Sequence, residues 1–143
     1  MSKSNKVFIA VVLVLGLIQF IPHTITEVGS STENTYNPNN AEVQNIIDKA
    51  CMDCHSNQTQ YPWYASITPV NYFLEGHINE GREHLNFSEW NTYPAEDQKH
   101  VAKEIVEMVE KKEMPMLFYW LIHWDAKITD EERKVLTDHF SAL

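Results

Sequence analysis

The chain has very little cysteine, and what it has lies in one place. Cys51 and Cys54 are the only two cysteines, and two residues separate them. A disulfide between them would close too short a loop to stabilise the chain much. A zinc site needs about four ligands, and the downstream histidines that would have to complete it follow no recognisable spacing. The cysteine content therefore disfavours both a disulfide scaffold and a zinc centre.

Basic residues are scarce too. The chain has 11 lysines and arginines against 20 aspartates and glutamates, a formal net charge of -9. This balance argues against nucleic acid and against an anionic membrane surface as partners, and an acidic surface commonly serves only solubility.

A strand-and-crossover pattern is lacking, which disfavours a thioredoxin-like fold around the cysteine pair. A length of 143 residues allows one domain with a short extension.

The chain has a single long apolar run, residues 7–21 (VFIAVVLVLGLIQFI), which follows Lys3 and Lys6 and is closed by Pro22. Its length lies between that of a signal-peptide core and that of a spanning helix. The two lysines precede the run, so the positive-inside rule predicts a cytoplasmic amino terminus with the rest of the chain outside.

Residues 1–28 are therefore predicted to be an N-terminal membrane anchor or signal segment. No Ala-x-Ala cleavage site follows the run, and no cysteine stands where a lipid would be attached. Cleavage at Val28-Gly29-Ser30 is the alternative. We favour an uncleaved anchor helix.

The remainder of the chain divides into a linker and a helical domain. Residues 29–40 (GSSTENTYNPNN) predict a flexible polar linker, and residues 41–143 predict the domain. Apolar residues at helical spacing lead from Ala41 into the cysteine pair, with Asn39 or Asn40 able to cap the start. Further helices are predicted over residues 66–84, over residues 95–112, and after a capping box formed by Thr129 and Glu132.

The organising motif is Cys51-Met52-Asp53-Cys54-His55. In one helical turn, Cys51, Cys54 and His55 stand at i, i+3 and i+4 and leave from one face. The two sulfurs can then add to the vinyl groups of a haem while the imidazole reaches the iron as proximal ligand. The pattern predicts covalently attached haem; a redox dithiol and another metal site are the alternatives.

The second iron ligand decides the chemistry of such a site, because a methionine sulfur favours electron transfer and leaves no position for substrate. Met114 is the first candidate, since Pro115 holds it rigidly on a loop after a helix, and Met116 on the same loop is the second. His77 is a further alternative. Tyr61, Trp63 and Tyr64 are too apolar for a plain loop, so we expect them to cover an apolar surface, either that of the macrocycle or that of an ordinary core.

Two runs carry a family resemblance: CMDCHSNQTQYPWYASITPVNYFLEGHINEGREHLNFSEW and KKEMPMLFYWLIHWDAKITDEER. Over roughly residues 41–143 the chain resembles the bacterial haem-binding domain family, small membrane-anchored proteins similar to c-type cytochromes. The resemblance implies an all-α, cytochrome c-like domain outside the cytoplasmic membrane. It also implies thioethers at Cys51 and Cys54, His55 as proximal ligand and Met114 as distal ligand. Members often read Met-Pro-Pro at the last site, where this chain has Met116 in place of the second proline.

One further residue is predicted to contact the cofactor. Arg82 is a candidate partner for a haem propionate, because guanidinium binds carboxylate through a bidentate fork. Glu75 and Glu89 are alternative partners for it.

The function predicted from these residues is that of an electron carrier and not an enzyme. It would hold one haem c, lie on the periplasmic side of the bacterial inner membrane and exchange single electrons with redox partner proteins. The alternative is a haem enzyme or sensor, whose open distal position admits peroxide or a diatomic gas. A scaffold that uses Cys51 and Cys54 as free thiols is the third possibility.

Overall fold

The structure, a computed structural model, describes residues 2–21 and 29–143. Its helices are α1 (Lys3–Ile18), α2 (Ala41–Ala50), α3 (Met52–His55), α4 (Val70–His84), α5 (Ala95–Glu110), α6 (Leu117–Ile122) and α7 (Asp130–Phe140). Three short 3-10 turns occupy Trp63–Ser66, Trp90–Thr92 and Trp124–Ala126. These ranges contain no strand, which confirms the prediction of an all-α chain.

Helix α1 forms within the apolar run, and Ser2 caps it by accepting a hydrogen bond from the backbone of Asn5. In the two described ranges no helix is long and apolar enough to cross a membrane, and the 16 residues of α1 extend over only about 24 Å. Pro22 and Val28, on which the predicted end of the anchor and the alternative cleavage site depend, lie outside the described residues.

The hydrophobic core lies where α2, α5 and α7 meet the segment between α4 and α5. Each apolar residue predicted to form the inner face of α2 is buried, because helical spacing puts all of them on one side. Asn40 caps this helix by accepting from the backbone N–H groups of Glu42 and Val43, as predicted. The buried cluster comprises Val43, Ile46, Ile47, Ala50, Leu85, Phe87, Trp90, Ala102, Val109, Ile128, Leu136 and Phe140.

Helix α7 begins with the predicted capping box. The hydroxyl of Thr129 accepts from the backbone of Glu132, and the carboxylate of Glu132 accepts from the backbone of Thr129. The same carboxylate accepts a 2.6 Å hydrogen bond from Lys49 on α2. The start of α7 is therefore tied to the helix that leads into the motif.

Residues 29–40, predicted as a flexible polar linker, lie against the domain. Tyr36 packs its ring on Phe87, Trp90 and Phe140, and its hydroxyl is 2.6 Å from Nε2 of His139. Its backbone N–H donates to the carbonyl of Phe87 at 2.7 Å. One aromatic side chain thus fixes this polar stretch to the core.

Two helices begin or end slightly away from their predicted limits, and one was not predicted. The helix expected over residues 66–84 starts at Val70, and the residues before it form the first 3-10 turn. Helix α5 ends at Glu110, two residues before the predicted end, and Lys112 has a positive φ of 59°. Helix α6 occupies a stretch without amphipathic spacing, which sequence periodicity does not identify.

Candidate functional site

The motif Cys51-Met52-Asp53-Cys54-His55 forms one helical turn directly after α2. The backbone of Cys51 turns away from helical geometry, at φ -124° and ψ -40°, so α3 leaves α2 at an angle. Its carbonyl accepts from the N–H groups of Cys54, at 3.2 Å, and His55, at 2.9 Å. This turn places Cys51, Cys54 and His55 at i, i+3 and i+4, the spacing at which side chains of a helix leave from one side.

The imidazole of His55 is held by the last turn of α4. Its Nδ1 lies 2.8 Å from the carbonyl of Gly81 and 3.1 Å from that of Leu85. Carbonyl oxygens only accept hydrogen bonds, so Nδ1 carries the proton and Nε2 keeps its lone pair. Burial lowers the pKa of His55, which favours the neutral ring. The side chain is thus in the tautomer that a metal ligand needs, with its ring orientation fixed.

Gly81 also allows α4 to approach the motif closely. A Cβ atom at this position would lie 2.8 Å from the backbone oxygen of Cys54 and 3.4 Å from its Cβ. Since a backbone oxygen cannot move aside easily, only glycine fits here without displacing one of the two helices. The carbonyl that holds His55 can approach the ring because its own residue has no side chain.

Arg82 holds the segment that follows the motif. Its Nε donates to the carbonyl of Ser56 at 2.8 Å, and its Nη2 donates to the hydroxyl of Thr59 at 2.9 Å. That hydroxyl in turn donates to the carbonyl of Asp53 at 2.6 Å. The guanidinium therefore has a structural role next to the site, and its contact with a propionate stays a prediction.

The pKa values of the two thiols are shifted in the opposite direction from those of a redox dithiol. Burial raises the pKa of Cys51 to about 12 and that of Cys54 to about 11, with further increases from the neighbouring thiol and from Asp53 respectively. Catalytic and redox cysteines have a lowered pKa and react as thiolates. In the described ranges, moreover, no group of three or more His, Cys, Asp or Glu side chains is placed to hold a metal ion. The raised pKa values of the two thiols disfavour the dithiol alternative.

The loop that carries Met114 is fixed from two sides. Its backbone N–H donates to the carbonyl of Met108 at the end of α5, at 3.2 Å. Arg133 on α7 donates from Nη1 to the carbonyl of Met114 at 3.0 Å and to that of Val109 at 2.8 Å. The carbonyl of Met116 starts α6 by accepting from two later N–H groups. The candidate distal ligands thus lie on a loop with a defined backbone.

Helix α6 is bound to the motif through a chain of polar aromatic side chains. The hydroxyl of Tyr119 donates to a carboxylate oxygen of Asp53 at 2.6 Å. Burial and the nearby Asp53 raise the pKa of Tyr119, so the phenol stays protonated. Its ring stacks on His123 with centroids 4.6 Å apart, and Nε2 of His123 is 2.6 Å from the hydroxyl of Tyr64. These contacts bring α6 and the first 3-10 turn beside the motif.

Helix α6 contains no buried residue although it is almost entirely apolar. Its Leu117 is 60% exposed, Phe118 is 52% exposed and Leu121 is 63% exposed. Helices with such composition normally pack into a core, and an exposed apolar surface of this kind marks a binding site. The helix that contacts the motif therefore presents an exposed apolar surface.

Comparison with known families adds the deciding observation. The family model for the haem-binding domain matches residues 13–142, which is nearly the whole chain. The chain belongs to the haem-binding domain family. Searches of curated proteins and of solved structures found no match.

The residues of this haem-binding domain suit a haem. The Nε2 lone pair of His55 is the donor that haem iron takes from a proximal histidine, and the bond from Nδ1 to backbone carbonyls is the usual support of such a ligand. Two thiols stand on the same turn. The exposed apolar side chains of α6 provide apolar contact area beside the motif.

The fold places the residues predicted for the site on three elements: the motif turn, the loop after α5, and α4. Cys51, Cys54 and His55 share one turn, while Met114 and Met116 lie on the loop that leads into α6. His77, the other predicted alternative, lies one turn before Gly81 on α4, and its ring centroid is 5.5 Å from that of Phe118. The choice among these distal candidates stays a prediction.

Sequence reasoning did not find the polar supports of the site. Asp53 lies inside the motif, but its partner Tyr119 is 66 residues away, and no local pattern connects the two. Arg133 is likewise 19 residues from Met114. Among the residues that support the site, only Gly81 has a sequence signal, because a glycine inside a helical pattern indicates that another segment of backbone approaches the helix closely.

Proposed function

We propose that this haem-binding domain protein is a membrane-tethered electron carrier. Cys51 and Cys54 hold one haem c as thioethers, and His55 and Met114 are the iron ligands. When bound, the haem supplies a one-electron couple at iron. The observation that carries the proposal is that both thiols and the free Nε2 of His55 leave the same helical turn.

The chain's own residues would tune and protect this couple. The carbonyls of Gly81 and Leu85 fix the ring of His55 and make it a better donor, because they accept its Nδ1 proton. The aromatic side chains of Tyr64 and Tyr119 lie beside the motif and limit the access of water. Electron carriers need ligands that are fixed in this way.

Met114 is favoured over His77 by the position of α4. Gly81 and Leu85 hold the Nδ1 side of His55, so a second iron ligand, which would lie beyond Nε2, would come from an element other than the last turn of α4. The loop after α5 meets this requirement, and Arg133 fixes the backbone of Met114 directly. Met116 belongs to the first hydrogen bonds of α6, which ties its backbone to that helix.

Tethering to the outer face of the inner membrane is supported by α1 and by the sequence. Every residue of α1 up to Leu17 is exposed, including Val7, Phe8 and Leu13. Such an apolar surface is stable in lipid and unfavourable in water. The proposed span needs residues that flank α1 in addition to its 16, and Lys3 and Lys6 at its start would then orient the remainder of the chain, with its haem-binding motif, away from the cytoplasm.

Expression of the full chain together with haem-attachment machinery tests the proposal. Haem should stay with the polypeptide on a denaturing gel and be lost from it in the C51A/C54A variant. The ferric spectrum should be six-coordinate and low-spin, with the near-infrared band of sulfur bound to iron. A high-spin spectrum would favour the enzyme or sensor alternative instead, and polypeptide without attached haem would contradict the covalent site.

The two methionines are separated by a matched pair of variants. Met114→Ala should abolish the near-infrared band, while Met116→Ala should leave it in place. The reverse result would assign Met116. A low-spin spectrum that lacks this band already in the unsubstituted protein would point to His77, which H77A would then test.

A further inference from the structure

The end of α1 is joined to the domain by one specific side chain. The amide of Gln19 donates from Nε2 to the carbonyl of Thr68 at 2.7 Å and accepts at Oε1 from the N–H of Thr68 at 3.0 Å. Both polar atoms of the side chain thus pair with both backbone groups of one residue. This contact sets the position of the segment around Thr68 relative to the apolar helix.

The residues on either side of Thr68 present an apolar surface. Trp63 is 79% exposed, Ile67 37%, Val70 40% and Phe73 71%. Val70 and Phe73 are three residues apart on α4 and therefore lie on the same side of that helix. Trp63 and Ile67 precede them in the first 3-10 turn and just after it. These four residues are called the Thr68 surface below.

The Thr68 surface carries no formal charge. Residues 61–74 (YPWYASITPVNYFL) contain no Asp, Glu, Lys or Arg, although the whole chain has a net charge of -9. An acidic protein is repelled by the anionic lipids of a bilayer wherever it presents carboxylates. The segment next to Thr68 is a place where that repulsion is absent.

We propose that the Thr68 surface rests in the headgroup region of the bilayer to which α1 attaches the chain. This inference depends on the proposed tether. Lipid is the occupant because the surface adjoins the apolar helix through Gln19, because it carries no charge, and because exposed Trp and branched apolar side chains favour the boundary between lipid and water. The domain is then held at a defined orientation above the membrane, and Gln19 is the residue that sets it.

A fluorescent depth measurement on the full, haem-loaded chain tests this orientation. S66C and K103C variants carry an environment-sensitive fluorophore, with Ser66 between Trp63 and Ile67, and Lys103 exposed on α5. Cys51 and Cys54 do not react when held as thioethers, and labelled wild type checks this. Vesicles of phosphatidylcholine and phosphatidylglycerol are used with and without nitroxide lipids, and iodide serves as the aqueous quencher. Each quenching constant is divided by the fluorescence lifetime of the same sample without quencher, which corrects for the shortening of that lifetime by energy transfer to haem.

The label at residue 66 should be quenched several times more by nitroxide lipids than the label at residue 103, and less by iodide. In the Q19A background the lipid quenching at residue 66 should fall to the level at residue 103, while the protein still floats with the vesicles. Equal quenching at both positions in floating protein would overturn the orientation and leave the tether standing. Failure of the unsubstituted protein to float would overturn the tether, and this inference with it, without bearing on the haem site.

Discussion

The hydroxyl of Tyr119 lies 2.6 Å from a carboxylate oxygen of Asp53, which stands between the two cysteines of the motif. The second oxygen of the same carboxylate accepts from the backbone of Gln60 at 2.9 Å. Asp53 therefore connects three segments: the turn of the Cys51–His55 motif, the loop after it and helix α6. The loop with Met114 leads directly into α6, so this hydrogen bond also influences where the distal candidates lie.

Tyr119→Phe should lower the free energy of unfolding by about 1–2 kcal/mol, because it removes a hydrogen bond to a charged and partly buried acceptor. Denaturant unfolding of the haem-loaded protein measures this change. Tyr61→Phe is the control, since the hydroxyl of Tyr61 forms no hydrogen bond within the part of the chain that the structure describes. Equal losses in the two variants would contradict the role given to Tyr119.

Gly81→Ala should destabilise the domain by about 1–3 kcal/mol, because the added Cβ meets the backbone oxygen of Cys54 at 2.8 Å. Gly76→Ala is the matched control on the same helix, where a Cβ meets nothing within 4 Å. That variant should be more stable by about 0.5–1 kcal/mol, since alanine favours a helix over glycine. Thermal or denaturant unfolding of the two variants separates the effect of the close contact on stability from the effect of helix propensity. Two variants of equal stability would contradict the close approach of Gly81 to Cys54.

Arg133→Met should loosen the loop that carries Met114 while leaving the helices in place. It removes two hydrogen bonds from a charged donor to the carbonyls of Val109 and Met114, with an expected loss of about 2–3 kcal/mol. The near-infrared band of sulfur bound to iron should disappear at a lower denaturant concentration than helical circular dichroism does. Lys134→Ala, which removes an exposed ion pair with Asp138, should change stability by less than about 0.5 kcal/mol. Coincident transitions in the R133M variant would show that Arg133 does not act on the loop.

Tyr36→Ala should destabilise the domain by about 2–4 kcal/mol, because the ring packs on three buried aromatic residues of the core. Asn37→Ala, at an exposed neighbouring position, should have little effect. Denaturant unfolding measures both. A Tyr36→Ala variant as stable as the Asn37→Ala variant would mean that residues 29–40 act as the loose linker that their composition suggests.

Local rules in the sequence predicted the features that depend on near neighbours. Thr129 and Glu132 are three residues apart, and their capping box forms as expected. The apolar spacing of α2 identified its buried face for the same reason. The helical turn of the motif was also predicted from spacing alone, since Cys51, Cys54 and His55 stand at i, i+3 and i+4.

Such local rules did not predict contacts between residues that lie far apart in the sequence. The two carbonyls that orient His55 come from residues 26 and 30 positions later, and a backbone carbonyl has no sequence signature. Tyr36 stands in a polar stretch, and only the position of Phe87 and Trp90 in space explains why its ring is packed. Helix α6 lacks a polar face, so the pattern of apolar residues in its sequence did not predict whether it is a helix or a loop.

His55 is fixed at both ends, since its backbone oxygen accepts from Phe87 at 2.7 Å and its Nδ1 is held by two carbonyls of α4. A ring restrained in this way has almost no freedom to shift or rotate when the charge on a bound metal changes. In the proposed electron carrier, little nuclear rearrangement would then accompany the gain or loss of an electron, and the activation barrier to electron exchange would be small even at a slight driving force.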